Sequence, residues 1–358
     1  MTHDNPAAGT ARRGARPRPG RGRRLFALAS AAVFGSTLLT ACGSDSSDGL
    51  TSLTVGAGGN IYDMPLQVAE ANGYFRAQGL KVKLVTLTAS TGPAALHADS
   101  VQFLHDSPTG FLSAVSKGIP EIAVAADGGG NPLGIVVGKK FAQRHGLTAR
   151  TPAAQVAKAL ADSTGGISSA NTKAEAGIFL KAHGVDPGEV KWATLPSPAA
   201  DKAALNSGQI DWFITNEPIP LQVQSGGDGV VVADPDKVPE WSAEQAGYGQ
   251  FVVAEKSYAT DHPEIVTKFV TAVQRATDYM GTHVRAGKDK TLVSVAQKAL
   301  PGVPAEALRS SLRQVEWPRK VSMTAAGWTS TLGFVRSLDT LAKDPKITSA
   351  DWTNTYLP

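Results

Sequence analysis

The chain has 358 residues, with 35 Lys and Arg, 31 Asp and Glu, and a single cysteine, Cys42. One cysteine excludes an internal disulfide bond. Residues 1–41 hold seven of the basic residues and one of the acidic ones, so the rest of the chain carries 28 basic and 30 acidic side chains, a net charge of −2. This balance excludes the basic surface with which proteins bind the phosphates of nucleic acids.

The amino terminus has the parts of a signal peptide for export. Residues 1–24 are rich in arginine, residues 25–40 are uncharged and mostly apolar or small, and Leu39–Cys42 closes the segment. Leu-Thr-Ala-Cys resembles the lipobox of bacterial lipoproteins, in which the cysteine is acylated and becomes the first residue of the mature protein. We therefore predict a signal peptide over residues 1–41 and lipid attachment at Cys42.

A transmembrane anchor is the alternative interpretation of the apolar run. Such an anchor needs about 20 apolar residues to cross a hydrocarbon core of roughly 30 Å, whereas this run is shorter and ends in small and polar residues. Arg23–Arg24 resembles part of a twin-arginine signal, so two export routes stay open. Residues 42–51 are rich in Gly, Ser and Asp and predict a flexible tether. The predicted location is extracytoplasmic, with the lipid anchor in the outer face of the cell membrane.

Short apolar runs alternate with amphipathic stretches along the rest of the chain. Leu53–Val55 is predicted to be a strand, Pro65–Gln78 a helix that ends at Gly79, and Lys81–Val85 a half-buried strand. Strands and helices continue to alternate until Pro263, where a long helix begins and three more follow. Strands that are separated by helices predict parallel βαβ units and an α/β fold.

The length after the tether, about 310 residues, is too great for one simple core and suits two lobes. A helical tail that follows two α/β segments predicts that the chain crosses into a second lobe and then returns to the first. We assign residues 52–138 and 252–358 to the first lobe, and residues 139–251 to the second.

Several segments resemble one family of proteins. Residues 65–82, PLQVAEANGYFRAQGLKV, resemble the motif PLxVAxxxGYFxxxGLxV of the solute-binding proteins for nitrate, sulfonate, taurine and the pyrimidine precursor of thiamine. Ala204–Trp212 and Asn216–Pro218 resemble two further elements of that family, and His262–Val266 resembles the start of its return helix. The resemblance spans residues 52–285.

The resemblance implies a periplasmic-binding-protein-like type II fold, a clamshell of two α/β lobes joined by two crossings. It also implies that closure at the hinge buries a small solute and that the closed form delivers this solute to an ABC permease with separate ATPase subunits. We expect a monomer without cofactor or metal.

Lobes of this kind bind ligands at the carboxyl ends of their strands, where loops lead into helix N-termini. Four loops at this predicted edge, a glycine-rich turn and the last strand carry polar or aromatic side chains. Helix capping alone would explain many of them, but their joint occurrence in the family's positions favours binding. The predicted ligand-binding residues are Asn60, Tyr62, Asp63, Asp106, Ser107, Thr109, Asn131, Ser168, Ser169, Asn171, Thr172, Asn216, Glu217 and Tyr248.

These side chains suit two chemical classes of solute. Hydroxyl groups and helix N-termini bind a sulfonate or a carboxylate, whereas Asp63, Asp106 and Glu217 suit an amine or an aminopyrimidine. An aminosulfonate would use both sets. The sequence therefore favours an aliphatic sulfonate or a taurine-like compound, and the alternative is a thiamine-precursor pyrimidine.

An extracytoplasmic enzyme is the competing class of function. The seven histidines lack the spacing of zinc ligands, and the chain has neither a G-x-S-x-G elbow nor a G-x-x-x-x-G-K-[ST] loop. The related fold also includes a pyrimidine-synthesising enzyme, which the family resemblance associates with a cysteine-rich motif, and no cysteine follows Cys42. We therefore predict a protein that is not an enzyme. A ligand sensor that docks on a receptor is a third alternative.

Overall fold

The computed structural model describes residues 49–88, 91–343 and 345–358. The predicted signal peptide over residues 1–41, Cys42 and most of the predicted tether over residues 42–51 lie outside the described residues. Within the described residues, no helix is both long enough and apolar enough to cross a bilayer.

The strands of the described chain form two five-stranded sheets, and each sheet is the centre of one lobe. In chain order the strands are β1 (Thr51–Ala57), β2 (Leu80–Thr86), β3 (Phe103–Asp106), β4 (Glu121–Gly129), β5 (Leu133–Gly138), β6 (Thr164–Ile167), β7 (Lys191–Thr194), β8 (Trp212–Asn216), β9 (Gly229–Ala233) and β10 (Tyr248–Glu255). The order is β2-β1-β3-β10-β4 in the first sheet and β7-β6-β8-β5-β9 in the second.

Helices cover the faces of both sheets. They are α1 (Met64–Ala71), α2 (Tyr74–Ala77), α3 (Gly92–His97), α4 (Pro108–Ser116), α5 (Lys139–His145), α6 (Ala153–Leu160), α7 (Ala170–Ala182), α8 (Pro198–Ser207), α9 (Ile219–Gly226), α10 (Ala243–Ala246), α11 (Lys256–Asp261), α12 (Pro263–Arg285), α13 (Lys290–Ala299), α14 (Ala305–Gln314) and α15 (Ala325–Ser337).

Both sheets are mixed, which corrects the expectation of parallel βαβ units throughout. In the first sheet β1 is parallel to β2 and β3, whereas β10 is antiparallel to β3 and β4. In the second sheet β6 is parallel to β7 and β8, whereas β5 is antiparallel to β8 and β9. The exceptions β5 and β10 are the strands that enter from the other lobe. They start at the edge where the parallel strands end, and therefore run in the opposite direction.

The chain changes sheet at residues 130–132 and again at residues 234–247. Residues 133–138, which the sequence assigned to the first lobe, form β5 and pair with β8 and β9 of the second sheet. Residues 248–251, which the sequence assigned to the second lobe, begin β10 and pair with the first sheet. Both predicted boundaries therefore fall too late in the chain, because a buried apolar strand has the same pattern in either sheet.

The core of the first lobe includes a stack of three aromatic rings. The ring centroid of Phe269 on α12 lies 4.1 Å from that of Phe103 on β3 and 5.2 Å from that of Phe75 on α2. The segment predicted as one helix over Pro65–Gln78 is two helices, because Gly73 adopts a left-handed φ of 69° between them. This bend turns Phe75 into the core, where it is fully buried.

Candidate functional site

A cleft of about 430 Å³ lies between the two lobes, at the edge where the chain crosses from one sheet to the other. Both lobes and the first crossing contribute to its lining. Among the residues predicted from the sequence, those that line it are Asn60, Tyr62, Asp106, Ser107, Thr109, Asn131, Ser168, Ser169, Asn171, Thr172, Asn216 and Tyr248. Asp63 and Glu217 lie outside the lining.

Three helices begin at the cleft, and each has a serine at its N-cap. The hydroxyl oxygens of Ser107, Ser169 and Ser197 accept hydrogen bonds at 3.1 to 3.2 Å from backbone N–H groups in the first turns of α4, α7 and α8. These serines are therefore helix caps as well as cleft residues. The positive ends of three helix dipoles meet in one cleft, which favours a partial negative charge on a bound molecule.

A buried ion triad forms the floor of the cleft. Nδ1 of His105 lies 3.1 Å from a carboxylate oxygen of Asp63, and Nε2 lies 2.9 Å from both carboxylate oxygens of Asp127. Burial alone would lower the pKa of His105, but the charges and hydrogen bonds of Asp127 and Asp63 outweigh it and raise the pKa from 6.5 to about 10. The imidazolium and two carboxylates leave a net negative charge beneath the cleft.

Asp63 was predicted to line the cleft, but in the structure it holds a loop of the cleft in place and is not part of the lining. Its carboxylate accepts hydrogen bonds from the backbone N–H groups of Gly58, Gly59 and Asn60. Such a concave set of N–H groups is a common anion site. Because Asp63 already occupies it, this loop does not offer these three groups to a solute.

The carboxylate of Asp106 lies below the start of α4. One of its oxygens accepts a hydrogen bond of 2.7 Å from the N–H group of Ser107, and the other is buried without a partner among the described residues. Burial raises the pKa of Asp106 to about 7, although the hydrogen bond from Ser107 and the charge of His105 act in the opposite direction. A donor or cation on a solute would relieve this carboxylate.

Glu175 lines the cleft although the sequence analysis did not select it. It is buried on α7, and one of its carboxylate oxygens accepts a hydrogen bond of 2.9 Å from the side-chain amide of Asn131. Burial raises the pKa of Glu175 to about 7, and the bond from Asn131 limits the rise. The signal in the sequence was the spacing Asn171 to Glu175, because residues four apart lie on one face of a helix.

Glu217 lies at the junction of the lobes, behind the cleft. One carboxylate oxygen accepts hydrogen bonds from the N–H group of Leu221 at 3.2 Å and the hydroxyl of Ser311 on α14 at 3.4 Å. The other oxygen is buried and unpaired within the described residues. Burial raises the pKa of Glu217 to about 8. Glu217 was predicted to line the cleft. In the structure it instead makes a contact between the two lobes.

Other lining residues differ in how firmly they are held. The hydroxyl of Tyr248 accepts a hydrogen bond of 2.7 Å from the N–H group of Thr324. The centroid of its ring lies 5.7 Å from the ring centroid of Phe251. The side-chain oxygen of Asn216 is buried without a partner in the described chain. Gln250 and Phe334 also line the cleft, and the sequence analysis did not place either residue in the site.

The charges of the lining are acidic. Among the described residues, no lysine or arginine lines the cleft, whereas Asp106 and Glu175 do, and His105 is shared between two carboxylates. Both ring nitrogens of His105 are bound, so this histidine does not serve a cleft hydroxyl as a general base. No cluster of side chains suited to a metal ion is found in the described part of the chain.

Solved structures of low sequence identity share this architecture. A ligand-binding component of an ABC-type import system from Staphylococcus aureus, solved with zinc bound, has a TM-score of 0.67 and 16% identity and covers 86% of this chain and 98% of its own. The alkanesulfonate-binding protein SsuA from Xanthomonas axonopodis pv. citri, bound to MOPS, has a TM-score of 0.63 and 19% identity. The match covers 85% of this chain and 98% of SsuA.

The same fold also occurs in an enzyme. The desulfurization enzyme DSZB has a TM-score of 0.61 and 15% identity, and covers 86% of this chain and 97% of its own. These structures confirm the predicted fold, a two-lobed α/β clamshell of the periplasmic-binding-protein-like type. At such identities they establish the fold and leave the function to be argued from the site.

A search of curated proteins found no match. The sequence model of the NMT1-like family, however, matches residues 47–296, which is more than half of the chain. This match and the solute-binding structural relatives confirm the resemblance that residues 65–82 indicated, and the chain belongs to the NMT1-like family.

Proposed function

We propose that this protein is the extracytoplasmic solute-binding subunit of an ABC importer. The observation that carries the proposal is a cleft between two sheets, lined by both lobes and bordered by the two crossings of the chain. Rotation about two crossings would close the lobes over a solute. Structural relatives that are named as ligand-binding component of an ABC-type import system and as alkanesulfonate-binding protein support this function.

We propose that the solute carries an amine or an aminoheterocycle. Glu175 and Asp106 bring two buried carboxyl groups to the lining, and no lysine or arginine among the described lining residues balances them. The imidazolium of His105, which also lines the cleft, is already bound by Asp63 and Asp127, and this triad is negative as a whole. A buried carboxylate needs a donor or a cation. A simple sulfonate or nitrate would be repelled by this negative charge, because no lysine or arginine among the described lining residues offsets it.

Two solute classes satisfy this requirement. A taurine-like aminosulfonate would direct its ammonium group to Glu175 and its sulfonate to the N-termini of α4, α7 and α8. A thiamine-precursor aminopyrimidine would donate from its amino group to Glu175 and stack its ring on an aromatic side chain such as that of Tyr62 or Tyr248.

The remaining parts of the proposal concern the protein's surroundings. The partners would be an ABC permease and separate ATPase subunits, and the protein would act as a monomer. Lipid attachment at Cys42 would hold it on the outer face of the cell membrane. Replacement Cys42→Ser should move the protein from the membrane fraction to the soluble fraction of cells. Continued anchoring of the variant would disprove lipid attachment at this residue.

A binding protein returns its solute unchanged, and this property separates it from an enzyme of the same fold. His105 is held by two carboxylates, so this histidine does not act as a base for the hydroxyl groups of the lining. Mass spectrometry of a solute recovered after incubation should show the unmodified compound. Formation of a product at a catalytic rate would favour the enzyme alternative.

The central test is a screen by melting temperature with taurine, the thiamine-precursor aminopyrimidine, ethanesulfonate and nitrate. A solute at about 100 times its Kd stabilises the native state by about 2.7 kcal/mol, so binding gives a clear shift. We expect shifts with one or both amine-bearing compounds and none with ethanesulfonate or nitrate. Stabilisation by ethanesulfonate alone would overturn the proposed solute class, and no shift with any compound would remove all four ligands from consideration.

A further inference from the structure

The two crossings of the chain are hydrogen-bonded to each other. The N–H group of Gly130 donates to the carbonyl of Gly247 at 3.0 Å, and the N–H group of Asn131 donates to the carbonyl of Trp241 at 2.7 Å. Any rotation of one lobe against the other must bend these segments, because they are the places where the chain changes sheet. Gly130 and Asn131 are thus part of the hinge.

The first lobe holds this hinge through Tyr62. Its hydroxyl donates a buried hydrogen bond to the carbonyl of Gly130. The second lobe holds the next residue through Glu175, whose carboxylate accepts the 2.9 Å hydrogen bond from the side-chain amide of Asn131. Glu175 lies in the lining of the cleft, so one side chain contacts both the solute space and the hinge.

We propose that Asn131 is a positioning residue that couples occupation of the cleft to closure of the hinge, and that it acts through Glu175. This inference rests on the proposed function. A cation or amine donor on one carboxylate oxygen holds Glu175 in its ionised form. An ionised carboxylate accepts a stronger hydrogen bond from Asn131 than a neutral carboxyl group does. The bound solute therefore stabilises the hinge conformation in which this bond is made.

The coupling acts in both directions. If a solute strengthens the bond between Glu175 and Asn131, this bond must strengthen solute binding by the same free energy. The buried position of Glu175, with a pKa of about 7, supports this scheme because the empty cleft then holds a partly protonated carboxyl group near neutral pH. The phenol of Tyr62, which is close enough to feel the charge of Glu175, is neutral in this range.

The first experiment uses the empty protein and measures hydrogen exchange of the backbone N–H groups of Gly130 and Asn131. Replacement Asn131→Ala removes the donor, and we expect about tenfold faster exchange at both positions, as loss of a buried side-chain hydrogen bond predicts. Asn206→Ala is the matched control. It removes an asparagine that bonds an acid, Asp228, on the surface of the second lobe, and should leave exchange at the hinge unchanged.

The second experiment adds taurine or the thiamine-precursor aminopyrimidine, whichever shifts the melting temperature. Solute should slow exchange at Gly130 and Asn131 in the native protein about tenfold, and this protection should be lost in Asn131→Ala while calorimetry still detects binding. The isosteric variant Glu175→Gln keeps an acceptor but not the charge. It should retain slow exchange in the empty protein and lose the additional protection by solute.

The outcomes separate this inference from the proposed function. Equal exchange in Asn131→Ala and the native protein, without solute, would overturn the coupling whatever the ligand is. Equal protection by solute in both proteins would overturn it as well, while leaving solute binding established. Failure of both compounds to bind the native protein would count against the proposed solute class, and the exchange comparison in the empty protein would still decide whether Asn131 holds the hinge.

Discussion

Nε2 of His105 lies 2.9 Å from both carboxylate oxygens of Asp127, in a pair that is almost completely buried beneath the cleft. With Asp63 on the other ring nitrogen, this pair joins the central strand β3 and the edge strand β4 of the first sheet to the loop that carries Asn60 and Tyr62. The triad therefore fixes the shape of one wall of the cleft. It also adds a negative charge there, which bears on the kind of solute that the cleft accepts.

Removal of His105 should destabilise the protein strongly. The variant His105→Asn leaves two buried carboxylates without their cation, and loss of one partner from a buried ionic network costs about 3–5 kcal/mol. Urea unfolding at pH 7 measures this loss. The exposed His97 provides the control, since His97→Asn should change the unfolding free energy little. A loss below about 1 kcal/mol in His105→Asn, the size of an average point substitution, would contradict the role of the triad.

The same histidine should give the native protein a distinctive pH dependence. Its pKa is raised from 6.5 to about 10, so its contribution to stability is complete below pH 6.5 and is lost as the pH rises towards 10. Between pH 8 and 10 the native protein should lose stability more steeply than the double variant His105→Asn with Asp127→Asn. Parallel curves for the two proteins over this interval would show that His105 does not carry the charge.

Affinity for an amine-bearing solute should rise with pH. The pKa of Glu175 in the empty cleft is about 7, and only the ionised carboxylate attracts a cation, so affinity should fall about tenfold per pH unit below 7. Calorimetry at pH 5.5, 7 and 8.5 tests this. In Glu175→Gln the affinity should be about 10- to 100-fold lower and should vary less with pH. A pH profile that Glu175→Gln leaves unchanged would rule out contact between this carboxylate and the solute.

Glu217 should affect stability more than binding. Glu217→Ala leaves the N–H group of Leu221 without its acceptor and removes the contact with Ser311, whose hydroxyl still bonds the carbonyl of Ala307, at a cost of about 1–3 kcal/mol. Glu217→Gln keeps an acceptor and should cost less. Solute affinity should stay within about twofold in both variants, since sites that share no contact are coupled by no more than about 0.5 kcal/mol. Loss of solute binding at unchanged stability would place Glu217 in contact with the solute after all.

A buried acid in the first sheet, Glu121, should make the protein less stable at high pH. Both of its carboxylate oxygens are buried without partners among the described residues, and burial, with the charges of Asp106 and Glu255, raises its pKa from 4.5 to about 8. A raised pKa means that stability is lost as the pH rises from 4.5 to 8, by roughly 1.4 kcal/mol per pH unit.

Replacement Glu121→Gln removes this titration. Urea unfolding at pH 5 and pH 8.5 should therefore show a smaller loss of stability in the variant than in the native protein. Glu255→Gln, which removes a neighbouring charge on a partly exposed side chain, is the matched control and should flatten the profile much less. An identical pH profile for the native protein and Glu121→Gln would mean that the carboxyl group has a partner in solution.

Local chemistry made part of the fold and of the site predictable. Ser107 and Ser169 are N-caps, and a cap followed by an apolar helical pattern is encoded within a few residues. The N-termini of such helices lie at one edge of each sheet, so twelve of the predicted residues line the same cleft. Gly73 illustrates the limit. A glycine inside a helical pattern can be tolerated or can end the helix, and only the packing of Phe75 distinguishes the two.

Contacts between distant segments were not predictable. Asp63 and Glu217 stand at the right places in the chain, but their carboxylates turn towards backbone N–H groups and Ser311, and no pattern in one sequence gives that direction. Asp127 lies in β4, after the apolar residues of that strand, and bonds His105 of β3 across the intervening strand β10. The membership of β5 and β10 in their sheets depends on pairing over long separations, which strand patterns do not specify.

The position of β10 has a consequence for how the molecule is made. This strand lies between β3 and β4, so β4 has no neighbouring strand in the first sheet until the ribosome has synthesised residues 248–255. The second sheet, by contrast, draws all of its strands from residues 133–233. The first lobe thus begins first in the chain and is completed last. A nascent chain interrupted before residue 248 would contain every strand of the second sheet, whereas in the first sheet β4 would be separated from β3 by the missing strand β10.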